Sequence, residues 1–196
     1  MDALKVLVVS GSSRTGSFNR QLAAILAKLA RAAGHDVTEL DLRALALPLY
    51  DADIERVALP EGAATLRRLF AAHDVLLLSS PEYNAFPTPL LINALDWTSR
   101  VPAGDDLPNG IAAMAGTVVG LVSASPGALG GLRSLMFIRQ MLTYNLGMLI
   151  VPEQFALSAA AKAFHADGTL VDPKHEESVQ RVVHAALRTG LAMKQR

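Results

Sequence analysis

Two unbroken apolar runs, Val6-Leu7-Val8-Val9 and Val75-Leu76-Leu77-Leu78, constrain this chain more than any other feature. A strand with one wet face alternates apolar and polar residues, so a strand that is apolar at every position needs cover on both faces. Helical spacing fills the stretches between. Leu22, Ile25, Leu26 and Leu29 recur on one face, as do Leu66, Leu69 and Phe70. The pattern predicts strands over 5–10, 36–42, 74–79, 117–123 and 148–151. It predicts helices over 17–33, 61–72, 89–100, 129–146 and from Pro173 to about Met193, the last capped by Asp172.

Strand–helix alternation implies a parallel sheet with right-handed crossovers. Five such strands fit an α/β fold of the flavodoxin-like kind: three layers, doubly wound, sheet order 2-1-3-4-5. Ligands of such sheets sit outside the carboxyl ends of the strands, at the switch point. The three unusual loops of the chain, 11–19, 80–88 and 123–131, follow strands 1, 3 and 4 and are expected on that one edge. At 196 residues the whole chain, 1–196, reads as a single domain.

Composition removes several function classes. There is no cysteine, so thiolate metal sites and cysteine nucleophiles are absent, and redox chemistry would need a bound cofactor. Lys plus Arg equals Asp plus Glu, 18 against 18, which offers no attraction for nucleic acid or an anionic membrane. The first residues, Met1-Asp2-Ala3-Leu4-Lys5, lack the form of a signal peptide, and no run reaches the ~18 apolar residues of a membrane span. A cytoplasmic protein is the expectation. No metal-ligand spacing is found.

The first loop, Gly11-Ser12-Ser13-Arg14-Thr15-Gly16-Ser17-Phe18-Asn19, turns from a strand into a helix. It aims backbone N–H groups, hydroxyls, a helix N-terminus and one guanidinium at a common point, which suits a terminal phosphate. The dinucleotide fingerprint G-x-G-x-x-G and the P-loop Lys-Ser/Thr pair are both missing. The competing reading is an ordinary turn with Ser17 as helix cap. The second loop, Pro81-Glu82-Tyr83-Asn84-Ala85-Phe86-Pro87, is stiffened by proline and offers a flat heterocycle its backbone and an aromatic wall. It reads equally well as a rigid surface loop. The third, Ser123-Ala124-Ser125-Pro126-Gly127, with Gly130-Gly131 beyond it, lets a ring approach the backbone closely, or is simply a glycine-rich connection.

Gly11-Ser12-x-Arg14-x-x-Ser17-x-Asn19, Pro81-Glu82-Tyr83-Asn84 leading to Asn93-Ala94-Leu95-Asp96-Trp97, and Ser123-x-Ser125-x-Gly127-x-x-Gly130-Gly131 together resemble the NADPH-dependent FMN reductase family, which includes quinone, azo-dye and chromate reductases. Pro48 to Asp53 is similar to the segment after strand 2 in that family. The resemblance implies an FMN cofactor whose phosphate is held by Ser12, Arg14, Ser17 and Asn19. It implies ring contacts from Pro81, Glu82, Tyr83 and Asn84 on one side and Ser123, Ser125 and Gly127 on the other. NADPH or NADH would supply hydride, and a small acceptor (quinone, azo compound, metal oxyanion or free flavin) would take electrons. No catalytic side chain is implied. Phe86 stands where the family has a small residue, Pro87 is unusual there, and Ile92 stands where the family has Lys. A homodimer or homotetramer is expected, since Leu91, Leu95, Trp97, Leu135, Met136 and Ile138 exceed what one helix face buries.

Two other readings compete. One is a non-enzymatic FMN-binding or electron-transfer module. The other is a GDSL-like esterase using Ser12 with Asp172 and His175, although the Asp expected between Gly11 and Ser12 is missing.

Overall fold

The computed structural model describes residues 3–194. Five strands, β1 (Lys5–Ser10), β2 (Asp36–Asp41), β3 (Val75–Ser79), β4 (Val118–Ala124) and β5 (Leu149–Leu157), form one sheet in the order β2-β1-β3-β4-β5. Every neighbouring pair is parallel. The helices are α1 (Phe18–Ala32), α2 (Ala52–Val57), α3 (Glu61–Ala72), α4 (Pro89–Arg100), α5 (Gly110–Met114), α6 (Leu132–Gln140) and α7 (Pro173–Lys194).

The apolar runs do what their composition requires. Successive side chains of β1 go to opposite faces of the sheet. Val6 and Val8 join Leu22 and Leu26 of α1 and Val182 and Val183 of α7 in one core. Leu7 and Val9 join Leu66 and Phe70 of α3, Leu91 and Leu95 of α4, and Leu135 and Ile138 of α6 in the other. A flavodoxin-like three-layer sandwich results. Its switch point lies between β1 and β3, whose crossovers leave the sheet on opposite sides.

Four elements differ from the sequence reading. The helix read over 129–146 starts later, at Leu132, because Gly130 and Gly131 take φ of 61° and 92°. It gives way after Gln140 to a π-helical turn, Met141–Asn145. The fifth strand runs on to Leu157, past Pro152. Its pairing slips between Ile150 and Gln154, and an edge strand tolerates a proline at such an irregularity. The short helices α2 and α5 carry too little periodicity to stand out from loop.

The residues thought to be surplus apolar surface are mostly core. Leu91, Leu95, Trp97, Leu135 and Ile138 are all buried within the chain. Only Met136 of that set is exposed. Exposed apolar side chains on and around α6 are instead Phe86, Leu129, Leu132, Met136, Phe137 and Tyr144, with others scattered singly elsewhere.

Candidate functional site

β1, β3 and β4 lie side by side and end at the same edge, so their loops meet. Loops one and two touch closely. Gly11 N donates to Ser79 O at 2.9 Å, and Thr88 Oγ1 donates to Gly11 O at 2.6 Å. A Cβ on Gly11 would stand 2.5 Å from Ser80 Oγ, so glycine permits this approach. Between the loops lies a cavity of about 340 Å³ lined by Ser12, Arg14, Ser17, Phe18, Asn19, Pro81, Glu82, Tyr83, Ala124, Ser125 and Pro126.

One end of this cavity is a donor cradle. Ser17 caps α1, its Oγ accepting from Asn19 N at 3.2 Å, and Ser12 Oγ accepts from Arg14 N at 3.4 Å. The backbone N–H groups of Thr15, Gly16, Ser17 and Phe18 have no acceptor among the described residues. They stand at the positive end of α1, where the first N–H groups of a helix lack intrahelical partners. Arg14 has no carboxylate partner among the described residues; its guanidinium lies over the Phe18 ring, 5.2 Å from the centroid. Phe18 in turn stacks on Phe164, with centroids 6.2 Å apart and planes within 3°. Unpaired donors, hydroxyls and one unneutralised cation fit a phosphate monoester.

The other end is a wall. Glu82 does not point its charge into the cavity. Its carboxylate pairs with Arg133, which donates from Nε at 2.9 Å, and accepts from Ser134 N at 3.3 Å at the start of α6. Pro81 O accepts from Ser134 Oγ at 3.3 Å. The second loop is thereby riveted to the helix that follows the third. Beyond it Tyr83 and Phe86 exchange two backbone hydrogen bonds of 2.9 Å each, closing a hairpin whose central residues, Asn84 and Ala85, take φ of 51° and 71°. Phe86 stacks on Phe137 with centroids 4.2 Å apart.

Of the eleven residues expected in the site, Ser12, Arg14, Ser17, Asn19, Pro81, Glu82, Tyr83 and Ser125 line the cavity. Asn84 sits at the hairpin tip and Gly127 lies exposed beyond Ser125, both outside the lining. Ser123 is fully buried. Its Oγ has no partner and would stand 1.8 Å from a Cβ on Gly131, so it faces the protein interior behind that glycine. Sequence reasoning missed Phe18, Ala124 and Pro126. Phe18 was findable as the residue after the helix cap; the other two depend on how far loop three folds back. The hydrolase constellation does not form. Asp172 Oδ1 caps α7 by accepting from Lys174 N at 2.9 Å, and His175 packs against Phe155, with ring centroids 5.5 Å apart.

Known proteins resemble this chain in sequence and in fold. The profile of the NADPH-dependent FMN reductase family matches residues 4–162. An NAD(P)H-dependent FMN reductase of Pseudomonas aeruginosa is 33% identical over 186 residues, covering 94% of each chain. A quinone reductase of Pseudomonas putida is 36% identical over 171 residues, covering 85% of this chain and 84% of its own. Among solved structures, FerB from Paracoccus denitrificans, a flavoenzyme NAD(P)H:(acceptor) oxidoreductase, superposes with a TM-score of 0.77 at 25% identity, covering 97% of this chain and 99% of its own.

Fold and site together define a flavodoxin-like flavoprotein oxidoreductase. The chain belongs to the NADPH-dependent FMN reductase family. Its cofactor is FMN and its electron donor NAD(P)H, so the readings as a passive electron carrier and as an esterase give way to that of a reductase. Among the described residues, no helix is long and apolar enough to cross a membrane.

Proposed function

We propose that the cavity between the three loops holds FMN and that a quinone is the acceptor. The observation that carries this reading is the polarity of this cavity: free donors and Arg14 at the α1 end, an apolar wall at the other. Ser12, Arg14, Ser17 and the free N–H groups would bind the phosphate. The backbone of Pro81 to Tyr83, with Ser125 and Pro126, would orient the ring. Bound FMN supplies the redox chemistry, passing hydride equivalents from NAD(P)H to the acceptor.

The protein's own part is to bind, orient and exclude water, and no side-chain acid or base is required. The shelf beside the wall favours a flat organic acceptor over a metal oxyanion. Tyr83, Phe86, Phe137 and Met136 expose apolar surface there, and Arg133, the cation beside it, is neutralised by Glu82. Neither Arg100 nor Arg133 is free to clamp a 2′-phosphate, since Glu55 holds the first and Glu82 the second. The same exposed aromatic shelf supports self-association as a homodimer or homotetramer.

Purified protein loaded with FMN and desalted should keep its flavin, and anaerobic NADPH or NADH should bleach it. Steady-state rates should then favour benzoquinones and naphthoquinones over chromate, ferric salts, azo dyes and free flavin. Faster turnover of chromate than of any quinone would reject the acceptor assignment.

A further inference from the structure

Asn19 occupies an unusual place in the molecule. It is the second residue of α1, just past the phosphate cradle. Its side chain reaches Ser79, the last residue of β3, and Ala124, the last residue of β4. It therefore touches the roots of all three loops that enclose the cavity. Oδ1 accepts from Ala124 N at 2.9 Å and from Ser79 Oγ at 3.0 Å, while Nδ2 donates to Ala124 O at 2.7 Å. The backbone partners fix the amide's orientation, because a peptide N–H must meet the oxygen and a carbonyl must meet the NH₂. Both lone pairs of Oδ1 and one of the two Nδ2 protons are thus spent inside the protein, and Asn19 is buried.

We infer that Asn19 is a positioning residue that sets the distance between the phosphate loop and the two ring loops, and not a phosphate ligand. This rests on the flavin reading of the cavity. An amide bonded to both backbone groups of Ala124 holds α1 against the end of β4 in one register. Ser79, bonded to the same oxygen, adds β3 to that register. Moving these roots apart would misplace both halves of a ligand that spans the cavity, whereas losing a phosphate contact would weaken only the half that carries the phosphate.

Riboflavin, which lacks the phosphate, separates the two roles. Dissociation constants for FMN and riboflavin would be measured on apoprotein by quenching of flavin fluorescence, for the wild type, Asn19→Leu and Arg14→Ala. The visible band of bound FMN would be recorded at saturation. Asn19→Leu removes all three hydrogen bonds at nearly the same volume and adds no charge near the phosphate. It should weaken both flavins by about tenfold or more, as expected when a buried hydrogen-bonding group loses its partner. Their ratio should stay within a factor of about 2, and the visible band should shift. Arg14→Ala should instead weaken FMN alone and leave the band in place.

An FMN-selective loss in Asn19→Leu with an unmoved band, or no loss at all, would overturn the inference. If circular dichroism shows that Asn19→Leu does not fold, Ser79→Ala removes one strand of the clamp. It should move both constants together by a smaller factor, and FMN-selective weakening or none would again overturn the inference. Wild-type protein that binds neither flavin would remove the flavin reading itself; wild-type protein that binds both confines any failure to Asn19.

Discussion

At the scale of single residues, the charges around the cavity divide into those already neutralised and those left over. Glu82 and Arg133 satisfy one another, and Arg14 has only the Phe18 ring and Thr15 O. A charge-assisted hydrogen bond contributes about 1.5–3 kcal/mol. Arg14→Ala is therefore expected to raise the FMN dissociation constant by roughly 10–100-fold, with little change in melting temperature because the side chain is exposed. Flavin fluorescence titration and thermal melts check both halves. Ser123→Ala should leave FMN affinity unchanged, since the hydroxyl is buried without a partner behind Gly131. The types of these residues were legible in the chain; their assignments were not. Arg133, the partner that turns Glu82 away from the cavity, lies 51 positions further on, and no local pattern announces such a pair.

Among the elements, α6 shows how a backbone requirement delimits a helix. Gly131 caps it at φ 92°, and a Cβ there would stand 1.8 Å from Ser123 Oγ. Gly131→Ala should cost about 1–3 kcal/mol in thermal or denaturant unfolding, from left-handed strain and overpacking. Adding Ser123→Ala should recover the overpacking part and leave the strain, a coupling that a double-mutant cycle reads directly.

The short helix α2 is tied down differently. Tyr50 OH donates to Glu55 at 2.7 Å, and Arg100 Nε of α4 donates to the same carboxylate at 2.9 Å. The Tyr50 hydrogen bond, with help from Arg100, holds the Glu55 carboxyl below its ordinary value and outweighs the opposing effect of burial. The unfolded chain then binds that proton more tightly than the folded one. The contact therefore stabilises fully above the ordinary glutamate range and is lost as pH falls below it through the lowered folded-state value. Glu55→Gln should flatten the acid limb of a melting-temperature profile, and an unchanged limb would assign the acid sensitivity elsewhere. Strands and long helices were readable from periodicity, with boundaries off by a residue or two except at the end of β5, which runs on to Leu157. The start and end of α6 were not, because φ at two glycines and a π-turn leave no trace in apolar spacing.

For the molecule as a whole, the open question is what covers the aromatic shelf. Phe86 of the second loop, Leu132, Met136 and Phe137 of α6, and Tyr144 of the π-turn after it expose apolar surface. Sedimentation velocity at micromolar concentration should show a dimer or tetramer, and Phe137→Glu should shift it toward monomer by placing a charge in the contact. A wild-type monomer would make the shelf an acceptor surface alone.

The sequence by itself determined the layered architecture, the strand order and the edge at which the three loops meet. Those follow from local physics: runs apolar at every position must be covered twice, and turn residues of particular types must follow them. It also carried the family, through three motifs in order. Only the tertiary structure decided which site residues face the cavity and which serve the frame. Asn19, Glu82 and Ser123 have the right chemistry for a ligand. Whether such groups are free depends on partners such as Ala124, Arg133 and Gly131, which folding alone brings within hydrogen-bonding or van der Waals distance.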